Sequence, residues 1–335
     1  MNDRSSEPAE LLSPQVVTFD AIIPGDMAVR AEKTGVQKAS NDLMTTLVLS
    51  VLAGAFISFG AVFATTVSAG HIVITPADGA TFSAAMPYGV VRLLTGAAFS
   101  LGLVLVVIAG AELFTGNNLI VMAWASGKVT TRALLRNWAI VFAGNSAGAL
   151  LTAALMFATT QYTFGEGAVG LAALKTANSK ASLAFFPALT LGIMCNALVC
   201  LGIWMCYSAR TTVGKIFSIV PPVAAFVAAG FEHSIANIYF IPLALFIKAG
   251  AGEPFWISIG KTVADFPALT WGDFLLGNLL PVTVGNIIGG AGMVAATYWF
   301  VYLRKSRAVD AHRRRPGTPK DAGRSSISPA GRLGV

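Results

Sequence analysis

A single histidine lies inside the apolar part of this sequence, and its ring is able to exchange protons. His233 follows Glu232 in the run Gly230-Phe-Glu-His-Ser, and the other two histidines lie outside the apolar stretches. An unperturbed histidine has a pKa of about 6.5, so it gains and loses a proton at physiological pH. A lone histidine is usually a packed core residue, but the place of His233 beside a carboxylate in a helix-unfriendly cluster favours a function.

Two carboxylates and two lysines are the other ionisable candidates. Glu112 and Glu232 lie in the middle of apolar runs, while Lys38 and Lys180 lie at the ends of neighbouring runs. Because a charge at mid-membrane costs about 2.5–3.5 kcal/mol on insertion scales, such residues are kept where they are paired or functional. The repeat described below predicts two pairs, Lys38 with Glu112 and Lys180 with Glu232. Each pair either fastens a broken helix to its neighbours or takes part directly in proton transfer.

The remaining candidates are a hydroxyl and four apolar side chains. Thr115 lies in the cluster Glu112-Leu-Phe-Thr-Gly, where it either hydrogen-bonds a substrate or the imidazole, or caps a helix. The apolar side chains flank the two clusters as pore lining or as helix packing, and they are Phe99, Leu103, Leu113 and Phe226. The sequence holds no metal-binding cluster, no nucleotide-binding loop and no nucleophile beside a base. We therefore expect neither a cofactor nor an enzyme.

The composition of the chain indicates the kind of protein that must position these residues. Of 335 residues, 55% are hydrophobic and only 12% are charged, and the mean hydropathy is +0.70. Soluble proteins carry about 25% charged residues, so a soluble globular protein and a disordered chain are both excluded. A membrane-spanning helix needs about 20 apolar residues. The apolar runs therefore predict an all-α integral membrane protein with six spans, at residues 43–69, 88–126, 137–158, 183–208, 217–248 and 275–303.

The second and fifth predicted spans are interrupted. The cluster Glu112-Leu-Phe-Thr-Gly-Asn-Asn lies within the second span, and Gly230-Phe-Glu-His-Ser lies within the fifth. Backbone leaves the helix at membrane depth only where protein or a water-filled cavity satisfies its polar groups. We therefore expect helices two and five to be broken, with both breaks inside the protein.

The two halves of the sequence repeat the same residues in the same order. Lys38-Ala-Ser precedes span one and Lys180-Ala-Ser precedes span four, while Gly-x-Glu-x4-Asn begins at Gly110 and again at Gly230. Span three carries four residues that span six repeats, namely Asn137, Gly144, Asn145 and Gly148, repeated as Asn278, Gly285, Asn286 and Gly289. Because each repeat has three spans, the second copy is inverted in the membrane. Such 3+3 inverted repeats are typical of transporters and channels with a central site.

The predicted membrane domain covers residues 43–303, and its two repeats cover about 38–158 and 180–303. Lysine and arginine are distributed unevenly between the two sides of this domain. The connections on one side hold three of these residues, whereas the opposite side, including both termini, holds eighteen. The positive-inside rule therefore places residues 1–42 and the tail 304–335 in the cytoplasm of a cell with the protein in its inner membrane. The tail holds nine lysines and arginines. We expect it to be disordered and to lie near anionic lipid headgroups rather than to bind nucleic acid.

These motifs resemble those of the formate/nitrite transporter family, and within it most closely those of the formate channels. The resemblance covers about residues 20–305 and rests on Glu112-Leu-Phe-Thr-Gly-Asn, Asn137-Trp through Gly144-Asn145, Gly230-Phe-Glu-His-Ser-Ile-Ala-Asn237 and Asn278-Leu-Leu-Pro-Val-Thr-Val-Gly-Asn286. It implies a homopentamer of aquaporin-like protomers in the lipid bilayer, each with its own pore.

The resemblance also implies a role for each candidate residue. His233 corresponds to the central pore histidine of the family, and Thr115 to its neighbour on the loop of broken helix two. The residues that match the hydrophobic constrictions are Phe99, Leu103, Leu113 and Phe226. The polar network behind the histidine is matched by Glu232, Lys180, Asn196 and Asn237, and its counterpart in the other half by Lys38 and Glu112.

Together these observations predict a channel or transporter that moves formate across the cytoplasmic membrane in a proton-linked manner. A small monovalent anion enters a basic-edged vestibule, receives a proton at His233 directly or through water, and passes the constrictions largely as the neutral acid. Three alternatives remain open on the sequence. One is a transporter of nitrite, hydrosulfide or lactate with the same architecture. Another is a pore for water or neutral solutes, and the last is a membrane scaffold that binds a cytoplasmic enzyme through the tail.

Overall fold

Long apolar helices dominate the structure, a computed structural model that describes residues 20–70, 72–74, 82–84 and 86–304. The elements in chain order are α1 Pro24–Ser40, α2 Leu43–Ser68, β1 Ile72–Ile74, β2 Phe82–Ala84, α3 Tyr88–Ala109, α4 Phe114–Asn117, α5 Val121–Ala125, α6 Thr131–Ala158, α7 Ala168–Ala181, α8 Phe185–Ser208, α9 Thr212–Ala229, α10 Ser234–Gly250, α11 Glu253–Ser258 and α12 Leu280–Ile287. The last of these is the α-helical centre of a continuous helix over Asp273–Leu303, which we call the sixth span and whose flanking segments are π-helical.

Six helices in the described part of the chain are long and apolar enough to cross a membrane. They are α2, α3, α6, α8, α9 and the sixth span. Helix α2 packs against α3 and α6, α3 packs against α9, and α8 packs against α9 and the sixth span. The prediction of an all-helical membrane protein with six spans is confirmed.

The third span begins earlier than its apolar run. Its helix starts at Thr131, not at residue 137, because the side-chain oxygen of Thr130 accepts a hydrogen bond from the backbone N–H of Ala133 at 3.2 Å. Such a cap satisfies a free helix N–H and lets a helix begin in polar sequence. The fifth span starts early at Thr212 for the same reason, since the preceding threonine caps it.

Two amphipathic helices outside the predicted spans also belong to the bundle. Helix α1 lies in the segment 1–42 and packs against α5, α6, α8 and the sixth span, and α7 lies in the connection after span three and packs against α10 and α2. The repeated lysines, Lys38 and Lys180, are in the last turns of these two helices. Helix α1 therefore packs on the membrane-spanning helices, while the cytoplasmic location of the segment 1–42 stays a prediction. The predictions for residues 1–19 and for the tail 304–335 beyond Arg304 lie outside the described residues.

Short elements and polar turns fill the connections on the side away from α1. Strands β1 and β2 form an antiparallel pair after α2, and α11 follows α10. Next to α11, the Asp265 carboxylate accepts a hydrogen bond from the backbone N–H of Thr262 at 2.7 Å. This hydrogen bond from Thr262 lowers the pKa of Asp265, which favours its ionised form at the surface.

Spans two and five are each broken at a glycine. Helix α3 ends at Gly110 with φ +84°, and α9 ends at Gly230 with φ +78°. A side chain is strained in this left-handed region, whereas glycine adopts it freely and commonly ends helices there. After each glycine the chain runs extended to Leu113 in one half and to His233 in the other, where a new helix starts.

Two asparagines satisfy the backbone of these breaks. Asn145 accepts from the Phe114 N–H and donates to the Glu112 carbonyl, both at 2.8 Å. Asn286 makes the equivalent bonds to the Ser234 N–H and to the carbonyl of residue 232, at 2.9 and 3.0 Å. The broken segments therefore meet the requirement that backbone polar groups at membrane depth be paired inside the protein.

Repeated glycines bring the helices that carry these asparagines close to their neighbours. A Cβ at Gly148 would overlap the carbonyl oxygen of Val51, and a Cβ at Gly289 would overlap that of Ile193. Small residues that admit such close backbone approach are a feature of helix packing in membranes. They position Asn145 and Asn286 against the breaks.

Candidate functional site

The two breaks meet through Thr115 and His233. The Oγ1 atom of Thr115 lies 3.1 Å from Nε2 of His233, although the residues are 118 positions apart in sequence. Thr115 is in α4 and His233 is the residue before α10, and both side chains are buried. The imidazole is thus held between the two halves of the molecule.

The second nitrogen of the ring also has a partner. Nδ1 of His233 accepts a hydrogen bond from the backbone N–H of Ala236 at 3.2 Å and so caps α10. In a neutral imidazole one nitrogen accepts and the other carries the proton, so this cap assigns the proton to Nε2. The neutral ring therefore donates from Nε2 toward Thr115. A doubly protonated ring would lose the cap, because Nδ1 would then be a donor facing a donor.

Aromatic rings surround His233 on one side. The rings of Phe226 and His233 are stacked with centroids 6.1 Å apart, and Phe99 meets Phe226 edge to face at 5.9 Å. Phe99 also stacks on Phe240 at 6.3 Å. These residues are buried apart from Phe240, which is partly buried, and Leu103 and Leu113 lie in the same buried cluster.

Two cavities approach this cluster from opposite ends of α3. The first vestibule, as we call it, has a volume of about 400 Å³, and its lining includes Arg30, Lys38, Val106, Glu112, Leu113 and Lys215. The second vestibule has a volume of about 420 Å³, and its lining includes Arg92, Thr95, Phe99, Lys180, Phe226 and His233. Each vestibule combines cationic side chains with an apolar floor.

Between the vestibules, α3 presents a short run of apolar side chains. On one face of α3, Phe99 lines the second vestibule, Val106 lines the first, and Leu103 lies between them. With a rise of 1.5 Å per residue, Phe99 and Val106 are separated by about 10 Å along the helix axis. Phe99, Leu103, Leu113 and Phe226 belong to one buried apolar cluster next to both vestibules, which we call the apolar barrier. Their role as constrictions stays a prediction.

A hydrogen-bonded network supports the break next to the first vestibule. Lys38 Nζ donates to Glu112 Oε1 at 2.9 Å and to Asn117 Oδ1 at 3.0 Å. Asn117 Nδ2 donates to the other Glu112 oxygen at 2.6 Å and to Asn137 Oδ1 at 2.9 Å. Asn137 closes the network by donating to the Lys38 carbonyl at 3.1 Å.

The second half repeats this network around the break that carries His233. Lys180 Nζ donates to Glu232 Oε1 at 2.8 Å, and Asn237 Nδ2 donates to Glu232 Oε2 at 2.7 Å. Asn237 Nδ2 also bonds Asn278 Oδ1 at 2.7 Å, and Asn278 donates to the Lys180 carbonyl at 2.9 Å. Two bonds differ between the halves. Asn237 Oδ1 has no partner within the described residues, whereas Asn117 Oδ1 accepts from Lys38, and Asn278 Nδ2 also donates to Glu232 Oε2 at 3.3 Å.

Asn196, which the resemblance assigns to the polar network behind the histidine, bonds two backbone carbonyls. Its Nδ2 donates to the carbonyl of Thr115 at 3.2 Å and to that of Asn286 at 2.7 Å. The side chain lies on α8, which passes behind α4 rather than beside α7. Asn196 therefore positions the Thr115 loop and not the Lys180 pair.

Five residues of the site were not assigned a role from the sequence. Asn137 and Asn278 complete the two networks, and Asn145 and Asn286 pair the broken backbone, as described above. The internal repeat contained the signal for all four, since it aligns them in pairs. Arg92 is the fifth, and its signal was a charge inside the apolar run of span two.

Comparison with known sequences identifies the family. The sequence model of the formate/nitrite transporter family matches residues 25–300 of this chain. The chain belongs to the formate/nitrite transporter family. As a member it is a membrane transport protein rather than an enzyme, and a multi-pass protein of the inner membrane.

Individual family members are similar over most of their length. The chain is 44% identical to the formate channel FocA of Escherichia coli over 288 residues, covering 86% of this chain and 97% of that protein. It is 38% identical to FocA of Haemophilus influenzae over 277 residues, covering 83% and 93%. A solved pentameric formate channel with formate bound shares 43% identity and a TM-score of 0.70, covering 78% of this chain and 98% of the other.

Proposed function

We propose that this chain forms a homopentameric channel or transporter that moves formate across the inner membrane with a proton, through a pore in each protomer. Similarity to formate channels over nearly their whole length supports the substrate, and similarity to a pentameric formate channel supports the assembly. The observation that carries the proposal is the contact between Thr115 and His233. His233 lines one cationic vestibule, and Gly116, the residue after Thr115, lines the other.

The apolar barrier favours passage of formate as the neutral acid. Formate is a carboxylate, and a pKa near that of an aspartate side chain makes its protonation at pH 7 cost about 4 kcal/mol. Moving the bare anion into a dry, low-dielectric constriction costs far more, tens of kcal/mol in the idealised limit. Protonation is therefore the cheaper route past Phe99, Leu103, Leu113 and Phe226.

His233 is the residue at which the travelling anion receives its proton, directly or through water. Its neutral ring presents Nε2–H, a donor that binds and polarises a carboxylate. Loss of that proton leaves a neutral ring only if a second proton has first reached Nδ1. Nδ1 accepts a hydrogen bond from the N–H of Ala236, and a protonated Nδ1 can no longer accept it. The charged ring therefore loses the cap on α10, and we take it to be a short-lived state.

The vestibules are assigned to the two sides of the membrane by the distribution of charge. The first vestibule is lined by α1 and by the start of α9, which belong to the lysine- and arginine-rich side. We place this vestibule and both termini in the cytoplasm, so the second vestibule opens on the outer side.

A panel of solutes tests the choice of substrate. Proteoliposomes that contain the purified protein are compared with empty liposomes for uptake of formate, nitrite, hydrosulfide and lactate, and for swelling in glycerol. We expect the greatest stimulation for formate. The proposal fails if glycerol or water passes freely and formate does not, since that result identifies a pore for neutral solutes.

Replacement of His233 tests the proton step. In the wild type, formate uptake should rise as the external pH falls between about 8 and 5, because the proton becomes available on the donor side. We expect His233→Asn to flatten this dependence, since the amide does not carry a proton to the anion. The matched control is His71→Asn, a histidine outside the apolar spans. A His233→Asn protein whose uptake follows the wild type at every pH would remove this histidine from the mechanism.

A further inference from the structure

Arg92 and Thr95 lie on one face of α3 where it lines the second vestibule, and the proton step described above uses neither. They are three residues apart, which places them on neighbouring turns of the same helix face. Phe99, one turn deeper, continues this face to the apolar barrier. A solute that moves along α3 toward His233 therefore meets Arg92, then Thr95, then Phe99.

Arg92 has hydrogen-bond donors to spare. Its Nε donates to the Ala228 carbonyl at 3.2 Å and its Nη2 donates to the Val227 carbonyl, both at the end of α9. A guanidinium has five N–H groups and always carries its charge. Three N–H groups therefore remain for another acceptor, while the first two hold the head group in a fixed orientation at the vestibule.

Thr95 has a buried hydroxyl without a partner. The residue is only 9% exposed, and its Oγ1 makes no hydrogen bond within the described part of the chain. Hydroxyls on membrane helices ordinarily bond the carbonyl four residues earlier, as Thr65 does in the same vestibule by donating to Ala61 at 2.8 Å. A buried polar group without a partner costs stability, so this hydroxyl points to an occupant that the protein itself does not supply.

The net charge of the second vestibule determines whether that occupant is an anion or a cation. The described residues that line it include three cations, Arg92, Lys175 and Lys180. They include one carboxylate, Glu232, whose two oxygens already accept bonds from Lys180 and Asn237. The potential is therefore positive where Arg92 and Thr95 lie, which favours an anion.

We propose that Arg92 and Thr95 form a binding subsite for a small carboxylate on the outer side of the barrier, and that formate occupies it before it passes Phe99. The guanidinium fork pairs with the two carboxylate oxygens, and the Thr95 hydroxyl donates a further bond. The subsite rests on the proposed function and adds to it a residue pair that sets the affinity for the anion.

Replacement of Thr95 is the cleanest test, since its hydroxyl holds no other residue. Thr95→Val keeps the shape of the side chain and removes the donor. We expect the formate concentration at half-maximal uptake to rise by about 10-fold, the effect of one hydrogen bond to a charged group, with little change in maximal rate. The matched control is Thr65→Val, which lines the same vestibule but bonds its own helix and should keep the wild-type value.

Replacement of Arg92 separates its charge from its contacts with α9. We expect Arg92→Gln to raise the half-maximal concentration by at least about 10-fold, and Arg92→Lys to restore part of the loss because it keeps the charge. Uptake of labelled formate is measured in two preparations of membrane vesicles, right-side-out and inside-out, so that formate enters from a known vestibule in each. The increase should appear when formate enters from the second vestibule and should be much smaller from the first.

The outcomes distinguish the subsite from the proposed function. If the wild type carries no formate, the proposed function itself fails. If the wild type carries formate and Thr95→Val leaves the half-maximal concentration unchanged from both sides, the subsite is wrong and the proposed function stands. If Arg92→Gln and Arg92→Lys raise the half-maximal formate concentration equally and Thr95→Val keeps the wild-type concentration, Arg92 only caps α9 and the subsite is wrong.

Discussion

Glu232 uses both of its carboxylate oxygens, one for Lys180 and one for Asn237. Glu112 does the same with Lys38 and Asn117 in the other half. Such buried pairs are poor evidence for stability in themselves, but removal of one partner leaves an uncompensated charge. The two networks are matched closely enough that each serves as a control for the other.

At this residue scale, Glu232→Gln should destabilise the protein and reduce formate flux through an altered pore geometry. Glutamine has a single acceptor oxygen, so either Lys180 or Asn237 must face an NH₂ group. We expect a loss of about 3 kcal/mol in the free energy of unfolding. Thermal unfolding in detergent and formate uptake in proteoliposomes measure the two effects.

Glu112→Gln should be less damaging. Lys38 has a second acceptor in Asn117 Oδ1 at 3.0 Å, and its side chain is 26% exposed against 17% for Lys180. Water and Asn117 therefore compensate part of the lost charge. A Glu232→Gln protein that folds and transports like the wild type would show that the Lys180 network contributes neither to stability nor to transport.

At the scale of elements, the broken helices depend on backbone that only glycine adopts without strain. Gly110 ends α3 and Gly230 ends α9, and each turn redirects the chain so that Leu113 or His233 points into the barrier region. The asparagines Asn145 and Asn286 then hold the extended segments in place. The break, not the helix, places the imidazole against Thr115.

Gly110→Ala isolates the conformational part of this arrangement. A Cβ at Gly110 meets nothing within 4 Å, so the only penalty is the left-handed backbone. We expect a loss of about 1–2 kcal/mol in stability and a lower melting temperature in detergent.

The matched control is Gly292→Ala in the sixth span. A Cβ there also meets nothing within 4 Å, and the backbone at Gly292 is helical. Alanine in a helix interior is worth about 0.5–1 kcal/mol relative to glycine, so this variant should be as stable as the wild type or more so. Equal behaviour of the two variants would contradict the assigned role of the left-handed turn.

At the scale of the whole molecule, the two vestibules leave only a thin barrier to be crossed. About 10 Å of helix separates Phe99 from Val106, whereas the hydrocarbon core of a bilayer is about 30 Å thick. The solvated anion therefore approaches from either side through cationic cavities, and its charge has to be neutralised over a short distance only. In the proposed mechanism, a single proton donor such as His233 is therefore enough at the centre.

Phe226→Ala should make the barrier less selective. Removal of the ring that stacks on His233 and meets Phe99 widens the outer end of the barrier and admits water. We expect faster uptake of the larger anion lactate and a weaker dependence of formate uptake on pH, since a wet barrier passes the charged form. Uptake of both anions in proteoliposomes measures these changes.

The matched control for the barrier is Phe186→Ala. Phe186 lies in the first turn of α8 with 73% of its surface exposed, so the same change there leaves the barrier intact. A Phe226→Ala protein with the lactate uptake of Phe186→Ala would show that the ring does not limit passage.

Much of this architecture was predictable because a membrane imposes strong constraints on the local sequence of each span. The length of an apolar run sets a span. The clusters at Glu112 and Glu232 are conspicuous within such runs because charged residues are rare there, mid-membrane charge being costly. The sequence analysis did not predict the amphipathic helices α1 and α7, because their sequences are too polar for a span. It did not predict the role of Arg92, because the partners of Arg92 are carbonyls of α9, and a sequence does not indicate which distant backbone a side chain meets.

The sequence by itself determined the six spans, the repeated motifs and the position of each break, since these depend on residue type and spacing along one segment. Only the tertiary structure decided that Thr115 meets His233, that Asn196 bonds the Thr115 loop, and that Arg92 and Thr95 line one vestibule. The physical reason is that these contacts join segments far apart in the chain, and their partners follow from how the helices pack rather than from local pattern.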